Sequence, residues 1–211
     1  MKPLRTLAGQ TAVYGMGTIV PRLLNYLLLT PFYTRIFAEG EYGIITELYA
    51  YVAFLLVLLT YGMETSFFRF AESENNKDRV FSTALGSLFI TSASFIVLAG
   101  IFASPIAGLI RYPGHPEYII YFAVIVGVDA FTAIPFARLR QQNRAFRFAW
   151  IKIVNVSVNI LFNFFFLLYC PWVLKNDPDS VIGLVYNPAI GVGYAFISNL
   201  IATLVTLVLL L

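Results

Sequence analysis

Residues 80–110 read VFSTALGSLFITSASFIVLAGIFASPIAGLI and contain no charged side chain. A helix needs about 20 mostly apolar residues to cross a hydrocarbon core about 30 Å thick, so this stretch predicts a membrane span. Residues 153–174 and 180–211 are equally free of charge. Working outward, six segments qualify, near Leu7–Tyr33, Tyr42–Phe68, Val80–Ala103, Tyr118–Ala137, Phe148–Tyr169 and Ala189–Leu211. Of the 211 residues, 59% are apolar and 12% charged, and the mean hydropathy is +0.79. An average soluble domain carries about 25% charged residues. A water-soluble globule could not cover this much apolar surface, and disorder requires low hydrophobicity. The expected fold is all-α, a polytopic bundle of six transmembrane helices.

Short polar linkers separate the segments: 38–41, 72–79, 112–117, 138–147 and 175–179. Their brevity predicts antiparallel neighbours. Charge then orients the chain. With alternating spans, the side holding the N-terminus receives ten basic residues: Lys2, Arg5, Arg69, Lys77, Arg79, Arg138, Arg140, Arg144, Arg147 and Lys152. The other side receives three, Arg35, Arg111 and Lys175. The positive-inside rule makes the first side cytoplasmic, so both termini are expected there. The N-terminal stretch is too long and lacks the cleavage site of a signal peptide, and reads as a retained first helix. The basic run 138–152 suits anionic headgroups or the phosphates of a lipid-linked substrate, or serves topology alone. Nucleic acid is not an expected partner. One cysteine, Cys170, excludes an internal disulfide, and one histidine, His115, excludes a multi-histidine metal site. No cofactor is expected.

Polar groups inside the spans carry the functional signal, because a charge at the bilayer centre costs about 2.5–3.5 kcal/mol on insertion scales. In the first span Thr11, Tyr14, Thr18, Arg22 and Asn25 share one helical face. Arg22 reads either as a cavity-lining cation that attracts phosphate or as the partner of Asp129 or Glu47. Thr18 and Asn25 accompany it as substrate-binding candidates. Asp129, Glu64 and Glu47 are candidates for ion coupling, with headgroup contact the other reading of the two glutamates. Asn155, Asn159 and Asn163 repeat every fourth residue in the fifth span. They line a pathway or tie helices together by hydrogen bonds. Asn199, Thr203 and Thr206 form a weaker stripe in the sixth.

Several stretches bear a family resemblance. Residues 7–18 (LAGQTAVYGMGT), 33–43 (YTRIFAEGEYG), 61–70 (YGMETSFFRF), 133–140 (AIPFARLR) and 144–150 (RAFRFAW) resemble, in order and separation, the opening helices and junctions of the oligosaccharide flippases. These polysaccharide biosynthesis proteins belong to the multidrug/oligosaccharidyl-lipid/polysaccharide exporter superfamily. The resemblance implies one six-helix lobe of a two-lobe transporter in the bacterial inner membrane. Its substrate would be an undecaprenyl-pyrophosphate-linked oligosaccharide repeat unit of O-antigen, capsule or lipopolysaccharide. Membrane lipids, the polysaccharide polymerase machinery and a missing C-terminal lobe would be its partners. Arg22 matches the cavity arginines of that family's first helices. The chain stops at Leu207-Val-Leu-Leu-Leu211 without a polar flank, which reads as truncation at the end of the first lobe. Two alternatives stand beside this. A cation-coupled multidrug efflux transporter of the same superfamily would want an acidic, aromatic cavity. A membrane-embedded acyl- or glycosyltransferase would need a catalytic constellation, and His115 with Glu117 offers only a fragment of one. The chain is therefore expected to be a transporter and not an enzyme.

Overall fold

The computed structural model describes residues 2–73, 76–177 and 180–211. Glu74 and Asn75 of the second linker, and Pro178 and Asp179 of the last, lie outside the described residues, as do the side chains of Lys2 and Arg5.

The protein is an all-α membrane bundle with six helices long and apolar enough to cross a bilayer: Thr11–Ile36, Glu39–Ser73, Lys77–Ile101, Pro116–Gln141, Ala145–Asn176 and Gly193–Leu210. The first span consists of α1 (Lys2–Leu24), a π-helical turn (Asn25–Leu29) and α2 (Thr30–Ile36). The second is α3 (Glu39–Thr60) followed by α4 (Met63–Ser73), and the third is α5 (Lys77–Ile101), trailed by the short α6 (Ala103–Leu109). The fourth is α7 (Pro116–Gln141). The fifth joins α8 (Ala145–Phe164) through a second π turn (Phe165–Tyr169) to α9 (Cys170–Asn176), and the sixth is α10 (Gly193–Leu210).

Local chemistry sets these limits. Glu41 accepts the Ala38 N–H at 3.0 Å at the start of α3, and Asn76 accepts the Arg79 N–H at 3.1 Å to cap α5. Both π turns run directly into helices that carry proline in their first positions, Pro31 and Pro171. A proline has no N–H for the carbonyl one turn back, and a widened turn absorbs the mismatch.

Four boundaries differ from the sequence reading. The second span breaks at Tyr61 and Gly62, both left-handed (φ 33° and 71°). The segment 138–147 is mostly helix, because α7 runs to Gln141 and α8 starts at Ala145 around a tight turn with Asn143 at φ 56°. Lys152 lies inside the fifth span, as the bounds Phe148–Tyr169 already have it, although its charge is also counted with the basic run 138–152. The sixth span starts at Gly193 and not at Ala189. There Asn187 caps a 3-10 turn (Pro188–Ile190) by accepting the Ala189 N–H at 3.0 Å, and Gly191 turns the chain at φ 48°.

The fourth span is the centre of the bundle. It touches α3, α4, α5, α6, α8 and α10, and Ile125, Val126, Ala130, Ile134 and Ala137 are fully enclosed. Helices in lipid gain nothing from hydrophobic association with one another, so close packing of small residues and interhelical hydrogen bonds must hold them. α5 lays Ala84, Leu88, Ser92 and Ala99 on α7 along one stripe. α1 packs along α8, where a Cβ on Gly17 would fall 2.8 Å from the Ala149 Cβ and 2.9 Å from its Cα. Tyr14 donates to the Leu139 carbonyl (3.4 Å), Arg147 to the Leu209 carbonyl (3.2 Å) and Arg138 to Asp78 (2.7 Å), while Arg140 pairs with Glu64. These contacts gather the start of span one, the ends of spans two, four and six, and the starts of three and five at one end of the bundle. At the other end an aromatic cluster packs edge-on, with Phe122 against Phe196 and Tyr118 against Phe196 at 4.7 and 5.1 Å between centroids.

Two substitutions test this packing. Gly17→Leu forces α1 off α8 and lowers the unfolding midpoint in detergent. Ser92→Ala leaves stability unchanged or raised, because the buried Ser92 hydroxyl has no hydrogen-bond partner among the described residues and its small volume is all the crossing uses.

Candidate functional site

The polar residues inside the spans meet along one seam. Its first part joins spans one and five. Asn159 donates to Asn25 Oδ1 at 3.3 Å. Asn163 donates to the Asn159 carbonyl and Oδ1 at 2.8 and 3.0 Å. The Tyr33 hydroxyl donates to Asn163 Oδ1 at 2.7 Å. Asn163 is fully buried, and both its amide functions are used. Further in, Asn155 donates to Thr206 at 2.9 Å, joining spans five and six. Asn199 donates to the Tyr49 hydroxyl at 3.0 Å, joining six to two, and Thr203 donates to Asp129 at 3.3 Å, joining six to four.

Where spans one, two and five approach, the seam opens into a cavity of about 400 Å³. Arg22, Asn25 and Asn159 line it, with Tyr33, Tyr42 and Tyr49. Among the described residues no carboxylate lies within 4.0 Å of the Arg22 guanidinium. The cavity therefore presents one uncompensated cation, amide donors and phenolic rings. That combination suits a phosphate joined to a sugar: the guanidinium offers paired N–H donors to phosphate oxygens, and the rings and amides offer stacking and hydrogen bonds to a pyranose.

Other candidates fall elsewhere. Thr18 donates to the Tyr14 carbonyl at 2.9 Å and is outside the cavity lining. Asn155 and Asn163 act between helices and do not line it. Glu47 accepts from the hydroxyls of Tyr112 at 2.6 Å and Tyr51 at 2.9 Å, tying span two to the loop before α7. Its carboxylate holds the Tyr112 phenol up to about 12. Glu64 is engaged by Arg140. His115 Nδ1 stands 2.8 Å from Glu117 Oε1, and its ring stacks on Tyr118 at 4.7 Å. Among the described residues no group of three or more His, Cys, Asp or Glu is placed to hold a metal ion.

Two residues outside the sequence candidates join the site. Lys152 stands 4.0 Å from the centroid of the Phe136 ring, within electrostatic reach of Asp129, Arg140, Arg22 and Glu64. Among the described residues three cations and two carboxylates thus share one region, and Arg22 and Lys152 are the two of these cations without a direct carboxylate contact. Tyr33 is the other addition. It follows Asn25 by eight residues, which puts it on the same face, and that spacing was available in the sequence. The position of Lys152 three residues before Asn155 was legible as well, although its charge was counted with the basic run 138–152.

Asn163→Ala removes one residue from three hydrogen bonds and strands the buried Tyr33 hydroxyl. Interhelical bonds in membrane proteins average about 0.6 kcal/mol and reach about 1.7 kcal/mol. The loss in unfolding free energy should lie near the upper figure for Asn163→Ala and near the lower for Asn155→Ala, measured by reversible unfolding in micelles; equal losses contradict the network. Comparison with family models, with curated proteins and with solved structures gives no match to this chain.

Proposed function

We propose that the chain is one lobe of a transporter that moves lipid-linked oligosaccharides across the cytoplasmic membrane for cell-surface polysaccharide synthesis, with both termini cytoplasmic. The observation that carries this reading is Arg22, a cation in a span that lines a cavity beside amide and phenol groups and has no acidic partner among the described residues. An intramembrane charge costs several kcal/mol, and Arg22, exposed in this lobe, is open to an anionic ligand. The family resemblance of the first two spans and their junction supplies the substrate class, a polyprenyl pyrophosphate bearing sugars.

The mechanism follows from solvation. The pyrophosphate must leave water to cross, and the Arg22 guanidinium replaces part of its hydration. Asn25 and Asn159 offer amides to sugar hydroxyls, while the polyprenyl tail remains in lipid. A second lobe would complete the cavity, and rocking of the lobes would expose it to each side in turn. Asp129 is the favoured coupling group of the three acids. Glu64 is occupied by Arg140 and Glu47 by two phenols, whereas Asp129 has one Thr203 hydroxyl at 3.3 Å and the field of Lys152. The tyrosines would equally suit a multidrug transporter. The unpartnered guanidinium argues against one, because cationic drugs would be repelled.

The test is surface-polysaccharide export in cells that depend on this gene. Arg22→Ala abolishes export at normal protein level, and Arg22→Lys keeps part of it, since the charge stays but the paired donors are lost. Full export by Arg22→Ala rejects the proposal. Drug sensitivity with intact polysaccharide favours the efflux reading.

A further inference from the structure

Four arginines lie close together in sequence, Arg138, Arg140, Arg144 and Arg147, and the fold assigns them different duties. Arg140 is held by Glu64. Arg138 pairs with Asp78 at 2.7 Å and lies over the Phe81 ring at 4.1 Å. Arg144 and Arg147 have no carboxylate within 4.0 Å among the described residues. Arg147 donates to the Leu209 carbonyl at 3.2 Å, which fixes its guanidinium at the mouth of a pocket of about 400 Å³ that Arg138 and Arg144 also line. The apolar wall of that pocket comes from the membrane-spanning parts of α5 and α7, namely Leu85, Phe131 and Pro135, and from Leu210 and Leu211 at the end of span six. The apolar wall continues outward, since Phe131 meets Phe89 edge-on at 6.0 Å, and Phe89 is 60% exposed.

We propose that this pocket binds an anionic glycerophospholipid, its phosphodiester between Arg144 and Arg147 and an acyl chain along Leu85, Phe131 and Pro135. The charge is in place for it. Arg138 is neutralised by Asp78, and two cations remain for one or two phosphates. The shape is in place as well, with a cationic rim at the helix ends and the apolar side chains of α5 and α7 one to two turns deeper. Basic pockets between helices at the cytoplasmic side hold such headgroups. A free phosphate would use the rim alone, and a zwitterionic lipid brings a choline or ethanolamine cation that two arginines oppose. The pocket lies among spans three to six, whereas the Arg22 cavity lies among spans one, two and five, so the two sites are occupied independently.

The test is native mass spectrometry and thermal unfolding of the purified chain in detergent. The probes are dioleoyl-phosphatidylglycerol, dioleoyl-phosphatidylcholine and inorganic phosphate. The proposal predicts retention of phosphatidylglycerol at collision energies that strip phosphatidylcholine, and a raised unfolding midpoint with the anionic lipid only. Removing one arginine should weaken binding about fivefold, from roughly 1 kcal/mol per basic residue near a membrane surface. Arg144→Gln is the safer variant, because no hydrogen bond or ion pair within the chain involves its side chain among the described residues; Arg144→Gln/Arg147→Gln should lose the lipid. Arg111→Gln, at the opposite end of the bundle, and Arg22→Ala should retain it. Retention by Arg22→Ala separates this site from the transport cavity. Equal retention of phosphatidylcholine, undiminished binding in Arg144→Gln/Arg147→Gln, or displacement by millimolar phosphate would each overturn the proposal, the last by assigning a free-anion site.

Discussion

The hydrogen-bonded run Tyr33–Asn163–Asn159–Asn25 is the interaction on which the rest depends. Span one meets the bundle mainly along span five, and hydrocarbon offers it no other polar partner. Asn159, Asn163 and Tyr33 are buried and must find their hydrogen bonds within the protein, so their bonds to one another and to Asn25 fix the depth and rotation of span one. Arg22 lies on the same helical face, one turn before Asn25. Its direction toward spans two and five follows from that rotation. If span one turned by a quarter, Arg22 would face lipid and the cavity would lose its cation.

Packing and polarity are divided between two sides of the bundle. Spans three and four meet through small and aliphatic side chains, Ala84 and Leu88 beside Ile134 and Ala137, and Ser92 and Ile96 against Gly127. There the polar Ser92 hydroxyl has no partner among the described residues, which shows how little that interface relies on hydrogen bonds. Spans one, two, five and six meet through amides, hydroxyls and phenols. This division gives a wall of close-packed small and aliphatic side chains on one side and a hydrogen-bonded polar seam on the other. The lipid pocket uses the wall, and the Arg22 cavity uses the seam.

The six spans were legible because apolar length is read directly from sequence, and the Asn155–Asn159–Asn163 register because a four-residue repeat places side chains on one face. Helix ends were less legible. Arg138 and Arg140 look like loop residues, yet Asp78 and Glu64 on other spans let the helix continue through them. The break at Tyr61 and Gly62 and the delayed start of span six depend on left-handed residues that hydropathy ignores. Within the site, the stripe on span one was visible, but its partners were not. Whether Arg22 meets Asp129, Glu47 or neither is decided by how five helices rotate against one another. No spacing within one helix carries that information.

The central claim is that Arg22 makes the cavity between spans one, two and five a water-filled, anion-selective site. Cysteine accessibility at Asn25 tests it most directly. In a Cys170→Ala background, Asn25→Cys should react with an anionic methanethiosulfonate faster than with a cationic one of similar size, and Arg22→Gln should abolish the preference. Absence of reaction, or faster reaction with the cationic reagent, would contradict the account.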